Sequence, residues 1–372
     1  MLKILKNAVI FGTLALLLTA GAGCLVQYMP VLTEAAYEKF HMEDEPEPEL
    51  PPDLLSPGFY LSEGFGLTEE SETEQETEVH PVTAQHEFEI PVDDPGEKPY
   101  PVSWNLTGGI VEQMTYGVYS GTKFFQLPTA GQVQNKTSLS NNQLYEESQF
   151  LPEFQIQTDG TPQVLIMHTH TTESFEPYER DAYDSNFNYR TTDNSKNVVM
   201  IGNRIAAQLE SAGIGVVHDT TVHDYPSYTG SYERSAETVK ANLIKYPSIK
   251  IVLDIHRDAV GGDGVIKQPV AEIDGRKASQ VMIISGCDDG TMNMPNYLKN
   301  FRFACLLQQQ MESDYPGLTR PILFDYRKYN QDLTTGSLLI EVGSHGNTLD
   351  QVEYAGDLIG SSLARALLKL EE

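Results

Sequence analysis

The chain has 372 residues, with 25 basic and 53 acidic side chains and a formal net charge of −28. Proteins that bind nucleic acid present a basic surface to the phosphates, so this charge excludes nucleic acid as a partner. The three cysteines, Cys24, Cys287 and Cys305, do not make a disulfide framework. Cys305 is predicted to be buried on a helix, and Cys287 is predicted to be exposed after a strand.

Residues 1–28 are predicted to be a short cytoplasmic end and a transmembrane anchor. Lys3 and Lys6 precede an uncharged stretch over residues 7–28, close to the roughly 20 apolar residues that cross a bilayer. Because basic residues favour the cytoplasmic side, the rest of the chain is expected on the outer face of the cell membrane. A cleaved signal peptide and a lipoprotein modified at Cys24 stay open as alternatives.

Residues 29–100 are predicted to form a disordered acidic linker. Between residues 41 and 98 the chain carries 18 acidic residues, one basic residue and eight prolines, a composition that cannot bury enough apolar surface to fold. Residues 101–160 contain short apolar runs and are predicted to be a partly ordered segment. That segment is interpreted either as a packed part of the following domain or as a wall-binding or regulatory extension.

Residues 161–372 show apolar runs that alternate with helical patterns. This alternation predicts an α/β domain with a mostly parallel sheet and helices on both faces, and about 210 residues are enough for a full core. The predicted strands are 163–167, 214–217, 249–253, 280–285 and 337–342, and the predicted helices lie near 195–212, 231–246, 296–312 and 350–369.

Four polar residues lie where three of the apolar runs end. The first run is followed by His170 and Glu173, the second by His256, and the third delivers Glu341. Ligands of open α/β sheets bind outside the carboxyl ends of the strands. The sequence therefore predicts that these residues form one site.

The residue types are typical of a zinc hydrolase. Catalytic zinc commonly takes three protein ligands, and two histidines with one glutamate are a known set, which His170, Glu173 and His256 would supply. Zinc lowers the pKa of its bound water, and a nearby carboxylate can then move the proton to a leaving amine. Glu341 is the candidate for that catalytic role.

His168 is an alternative ligand, because alternation along an extended backbone would place it on the same side as His170. His170 is preferred, since its spacing lets it reach one ion together with Glu173, and His168 is then predicted to orient a ligand. The chain has no H-E-x-x-H and no G-x-S-x-G motif, which argues against a thermolysin-like protease and a usual serine hydrolase.

Three segments of the chain resemble the stage II sporulation protein P family, which is itself similar to zinc-dependent N-acetylmuramoyl-L-alanine amidases. They are LIMHTHTTESF at 165–175, DIHRDA at 254–259 and IEVGSHGNT at 340–348. The resemblance covers roughly residues 130–372 together with the anchor-and-linker arrangement. His345 has no place in the family pattern, and its position beside Gly346 predicts exposure.

The resemblance implies a membrane-anchored peptidoglycan hydrolase that acts in engulfment during sporulation with stage II sporulation proteins D and M. It implies cleavage of the amide between muramic acid and the stem peptide, and of peptide cross-links as a further activity. By motif position it implies zinc ligands at His170, Glu173 and His256, and a catalytic carboxylate at Glu341.

Three other readings stay open. A zinc carboxypeptidase would need an arginine for the terminal carboxylate of its substrate, and Arg190 and Arg257 are the candidates, although Arg257 is as consistent with a structural ion pair. The other hypotheses are a non-catalytic wall-binding protein and a structural tether.

Asn347 is predicted to cap the last helix.

Overall fold

The computed structural model describes residues 105–371. The predicted anchor over residues 1–28 and the predicted acidic linker over residues 29–100 lie outside the described residues. Within residues 105–371, no helix combines the length and the apolar composition that crossing a bilayer requires.

The strands of the described chain are β1 Gly109–Met114, β2 Phe124–Gln126, β3 Gln132–Asn135, β4 Pro162–Met167, β5 Ala182–Tyr183, β6 Gly215–His218, β7 Ile251–Asp258, β8 Gly261–Gly262, β9 Val265–Ile273, β10 Arg276–Ser279, β11 Val281–Gly286, β12 Ile322–Asp325 and β13 Ser337–Ser344. Eight of them form the main sheet, in the order β2-β3-β12-β11-β13-β7-β4-β6. Neighbouring strands of this sheet are parallel except in the pairs β2–β3 and β11–β13, so the predicted mostly parallel sheet is confirmed.

Helices cover both faces of this sheet, as the sequence predicts. The helices are α1 Asn141–Glu147, α2 Val198–Ser211, α3 Ser231–Lys245, α4 Tyr297–Asp314 and α5 Leu349–Leu368. Side chains alternate between the two faces along a strand. Strand β4 therefore packs Val164 and Ile166 into the core under α2, α4 and α5, and Leu165 and Met167 against α3.

Two features of the fold go beyond the predicted elements. A second, smaller sheet joins β10, β9, β1 and β5, with β8 beside β9, although the sequence predicts no strand over residues 258–279. In addition, β2 and β3 extend the main sheet through the pairing of β3 with β12. Residues 124–135, within the segment predicted to be partly ordered, are thus built into the same sheet as the predicted α/β domain.

Two of the detailed predictions are wrong. Helix α5 is capped by Thr348, which forms a capping box with Gln351. Asn347 instead binds the preceding turn, where its side-chain oxygen accepts from the backbone of Ser344. Cys287, predicted to be exposed, is buried like Cys305, and both are free thiols.

A buried arginine links the small loop before β12 to the end of β7. Arg320 is fully buried, its Nη1 lies 2.8 Å from Asp258 Oδ2, and its guanidinium stands 4.6 Å from the centroid of the Tyr116 ring. Removing one partner of a buried ion pair leaves the other charge uncompensated. The pair therefore holds these segments together.

We expect Arg320→Leu to lower the free energy of unfolding by about 3 kcal/mol, at the low end for a buried pair because Asp258 is partly exposed. Urea denaturation followed by circular dichroism would measure it. Arg204→Leu is the matched control, since Arg204 pairs with Asp357 on the surface and its loss should cost at most about 1 kcal/mol. Equal losses in the two variants would contradict a stabilising role for the buried pair.

Candidate active site

His256 and Glu341 lie side by side on adjacent strands. They are register partners in β7 and β13, and both side chains belong to the sheet face that also carries Met167 and Leu339. The prediction that His256 follows the end of its strand is wrong, because β7 continues to Asp258. Glu341 lies within its strand, as the predicted bounds 337–342 imply, and β13 continues to Ser344. The site therefore lies on the face of the sheet near the carboxyl ends of the strands.

The loop after β4 brings His170 and Glu173 to the same face. Strand β4 ends at Met167 and the chain turns at once, so the predicted alternation of His168 and His170 fails. His168 points into the protein, where its Nδ1 lies 3.0 Å from Ile255 O and its Nε2 lies 2.9 Å from His218 Nε2. His170 turns to the other side, towards His256.

The three predicted metal ligands are neighbours in space. The rings of His170 and His256 have centroids 5.2 Å apart and are nearly perpendicular. Nδ1 of His256 lies 3.5 Å from Glu173 Oε2, and the same carboxylate oxygen accepts a hydrogen bond from the backbone of Arg257. The structure thus brings together residues that are up to 86 positions apart in the sequence.

Two carboxylates favour the protonated form of His256. Burial alone would lower the pKa of His256, but Asp254 and Glu173 outweigh it and raise that pKa well above its usual value. Burial would raise the pKa of Glu173, but His256 and Arg257 lower it. Burial lowers the pKa of His170 to about 3, so the imidazole of His170 is neutral at physiological pH.

The pKa of Glu341 is raised into the physiological range. Burial and then the nearby Asp258 raise its pKa to about 8. Its Oε2 is enclosed and has no hydrogen-bond partner, although the residue as a whole is partly exposed. A carboxyl group with such a pKa can both accept and donate a proton near neutral pH.

Two contacts of the site histidines are missing from the sequence prediction. Oδ1 of Asp254 lies 2.8 Å from His256 Nε2, but the angle falls outside that of an aligned hydrogen bond. The hydroxyl of Tyr228 lies 3.0 Å from His170 Nε2, and the two rings are stacked. Strand alternation in D-I-H could have indicated the role of Asp254, whereas no sequence signal points to a contact between Tyr228 and His170.

Two imidazoles and one carboxylate are donor types that zinc accepts. Among residues 105–371, no three His, Cys, Asp or Glu side chains already converge with the spacing of a metal centre. However, His170 Nδ1 is buried without a hydrogen-bond partner, while Tyr228 engages the other nitrogen of that ring. His256 likewise has Asp254 at Nε2 and turns Nδ1 towards Glu173. Both imidazoles thus turn Nδ1 away from the neighbours that fix their rings.

The remaining candidates are engaged in protein contacts. Arg190 forms an ion pair with Asp224, and Arg257 donates through Nε to Ser174 O. These contacts argue against either arginine as the clamp that a carboxypeptidase needs. The prediction that His345 is exposed is wrong, since it is buried against the ring of Tyr189.

The fold and the site define an α/β protein with a buried histidine–carboxylate cluster on one face of a mostly parallel sheet. The family model for stage II sporulation protein P matches residues 116–364, which is more than half of the chain. The chain therefore belongs to the stage II sporulation protein P family.

A curated relative agrees with this assignment. Stage II sporulation protein P of Bacillus subtilis strain 168 is 31% identical over 213 residues, which cover 54% of this chain and 50% of the relative. The chain thus spans about half the length of the curated relative that it matches.

Partial similarity to solved structures also exists. An N-acetylmuramoyl-L-alanine amidase of Nostoc punctiforme has a TM-score of 0.33 and 16% identity, covering 57% of this chain and 97% of that chain. An N-acetylmuramoyl-L-alanine amidase of Clostridium difficile 630 has a TM-score of 0.32 and 15% identity, covering 56% of this chain and 96% of that chain. The family assignment rests on the sequence match.

Proposed function

We propose that this protein is a zinc-dependent peptidoglycan hydrolase of sporulation that cleaves the N-acetylmuramoyl-L-alanine amide. The observation that carries the proposal is the meeting of His170, Glu173 and His256 with Glu341 on one sheet face, inside the region that matches the family. Cleavage of peptide cross-links is a further activity that the same chemistry would support.

Zinc would be held by His170, Glu173 and His256. When bound, the ion would lower the pKa of a water molecule and polarise the amide carbonyl. Asp254 and Tyr228 would keep the two imidazoles oriented from behind, which is how outer-shell partners tune metal ligands.

Glu341 would carry the proton of the reaction. As a carboxylate it would accept the proton from the attacking water, and it would then return the proton to the leaving nitrogen of the amide. Its raised pKa, about 8, supports this double role because both protonation states are accessible near neutral pH.

The location and the partners belong to the same proposal. A single-pass anchor over residues 1–28 would hold the chain on the outer face of the cell membrane, and the acidic linker over residues 29–100 would let the hydrolase reach the wall. Stage II sporulation proteins D and M are the proposed protein partners, on the ground of family membership.

Digestion of purified sacculi, with and without zinc and with products identified by mass spectrometry, tests this function. We expect stem peptides to be released from intact glycan strands, because the proposed bond joins the two. Release of a terminal amino acid alone would indicate a carboxypeptidase. Tight binding to sacculi without any product would indicate a wall-binding protein.

A further inference from the structure

A polar cavity lies at the end of the main sheet, away from the candidate active site. Its volume is about 650 Å³, and it opens where β3 and β12 end. Lys123, Lys136 and Arg327 line it together with a single acidic residue, Asp325. The other lining side chains are mostly amides and hydroxyls, including Asn135 and Thr137.

The cavity has a positive formal charge, whereas the described chain as a whole has a negative one. Residues 105–371 carry 32 acidic and 21 basic side chains, whereas the cavity has three cations for one carboxylate. Arg327 Nε lies 3.2 Å from Asp325 Oδ2, so Lys123 and Lys136 carry the excess of positive formal charge. A concave site with charge of one sign concentrates ligands of the other sign. Lysine and arginine beside amide donors are the groups that bind a carboxylate.

A chain of side-chain contacts joins the cavity to the candidate active site. Arg327 donates through Nη1 to the hydroxyl of Tyr329 at 2.7 Å. The ring of Tyr329 stacks on Tyr232 with centroids 5.3 Å apart. The ring of Tyr232 in turn meets the ring of His170 edge-on at 5.5 Å. Tyr329 and Tyr232 thus form a continuous series of side-chain contacts between the cavity and the histidine cluster.

The backbone is strained at the tyrosine next to the cavity and at the residue that follows it. Tyr329 and Asn330 have φ of 42° and 54°, a conformation that costs free energy in residues other than glycine and persists where its surroundings enforce it. Asn330 is held there by hydrogen bonds from its amide to Tyr232 O and Ser235 Oγ. Such strain is found at ligand-binding sites. Tyr329 packs against Met282, Ile284 and Leu339, on the sheet face that also carries Glu341.

The separation of the two ends fits a short extended peptide. Strand β12 lies two strands from β13, and the level of Asp325 is four residues along β11 from the level of Glu341. Strand spacing and rise per residue convert this offset to roughly 16 Å. An extended peptide covers at most about 3.3–3.6 Å per residue, so about five residues would span it.

We propose that the cavity is a subsite for a free carboxylate of the wall stem peptide, reached when the amide to be cleaved lies at Glu341. This inference rests on the proposed function, because the bond at Glu341 sets which part of the substrate reaches the cavity. Lys123, Lys136 and Arg327 would receive the carboxylate, and Tyr329 would support the intervening peptide.

Equilibrium binding to the full chain carrying Glu341→Gln, which prevents cleavage of the probe, tests this subsite. The probe is a fluorescent muramoyl pentapeptide with free carboxylates, compared with its fully amidated analogue. We expect Lys123→Gln combined with Lys136→Gln to weaken binding of the carboxylate probe about fivefold at low salt, the effect of two half-buried, solvent-screened charge contacts. Binding of the amidated probe should not change.

The matched control combines Lys240→Gln with Lys277→Gln, two exposed lysines paired with Glu237 and Glu179, and should leave both probes unaffected. Failure of the carboxylate probe to bind, or an equal loss for both probes, would overturn the subsite. Sacculus digestion by the wild-type chain reports on the function separately. Carboxylate-selective binding without digestion would refute the hydrolase and leave the subsite standing.

Discussion

Glu341→Gln is expected to reduce the release of stem peptides from sacculi by about 10²- to 10⁴-fold, the range that a general acid–base residue contributes. Glutamine keeps the size of the side chain and cannot accept or return a proton. Glu341 faces the histidine cluster from the neighbouring strand, and its Oε2 has no protein partner. The substitution therefore removes the proton carrier and leaves the sheet register in place.

The matched control is Glu272→Gln, because Glu272 is also a strand glutamate but is exposed on β9. It should digest sacculi at the wild-type rate. Wild-type activity in Glu341→Gln would eliminate this residue as the carrier. Zinc content and circular dichroism, measured on the same samples, would show whether any loss comes from unfolding.

A stability measurement on metal-free protein gives a readout that is independent of turnover. The pKa of Glu341 is raised from 4.5 to about 8 in the folded chain, so between these values the folded state holds a proton that the unfolded state has lost. Stability then falls as pH rises through this window. Glutamine does not titrate, so the stability of Glu341→Gln relative to wild type should increase as pH rises from 5 to about 8. Thermal unfolding across this range would measure the difference. Parallel curves of stability against pH for the two proteins would contradict the raised pKa.

His170→Ala and His256→Ala are expected to abolish tight zinc binding. Each removes one of three ligands, and loss of a ligand should reduce bound zinc from about one per chain to a small fraction. Inductively coupled plasma mass spectrometry after dialysis against zinc would measure it. Sacculus digestion should disappear in both variants and in wild-type protein treated with a chelator.

His168→Gln separates the two histidines that the sequence leaves as alternatives. Both nitrogens of His168 contact protein groups away from the cluster, so this variant should retain its zinc. Loss of zinc in His168→Gln with retention in His170→Ala would reverse the assignment. Zinc binding should also weaken as pH falls, because the protonated His256 must release its proton to become a ligand.

The elements of the α/β domain could be predicted from the sequence because their signals are local. Apolar side chains recur with the helical period along α2 and α5, and a short apolar run defines β4. The four residues of the candidate site could be chosen in the same way, since their chemical types stand beside those runs. What could be predicted therefore depended on neighbours within about ten positions of each other.

The direction of each side chain was decided by the tertiary structure. The side chains of His168 and His170 point in different directions because the chain turns directly after β4. His256 lies beside Glu341 because β7 and β13 pair in one particular register. Tyr228 contacts His170 although 58 positions separate the two residues in the sequence. Turn geometry, strand register and such distant contacts depend on packing between segments, which no local periodicity encodes.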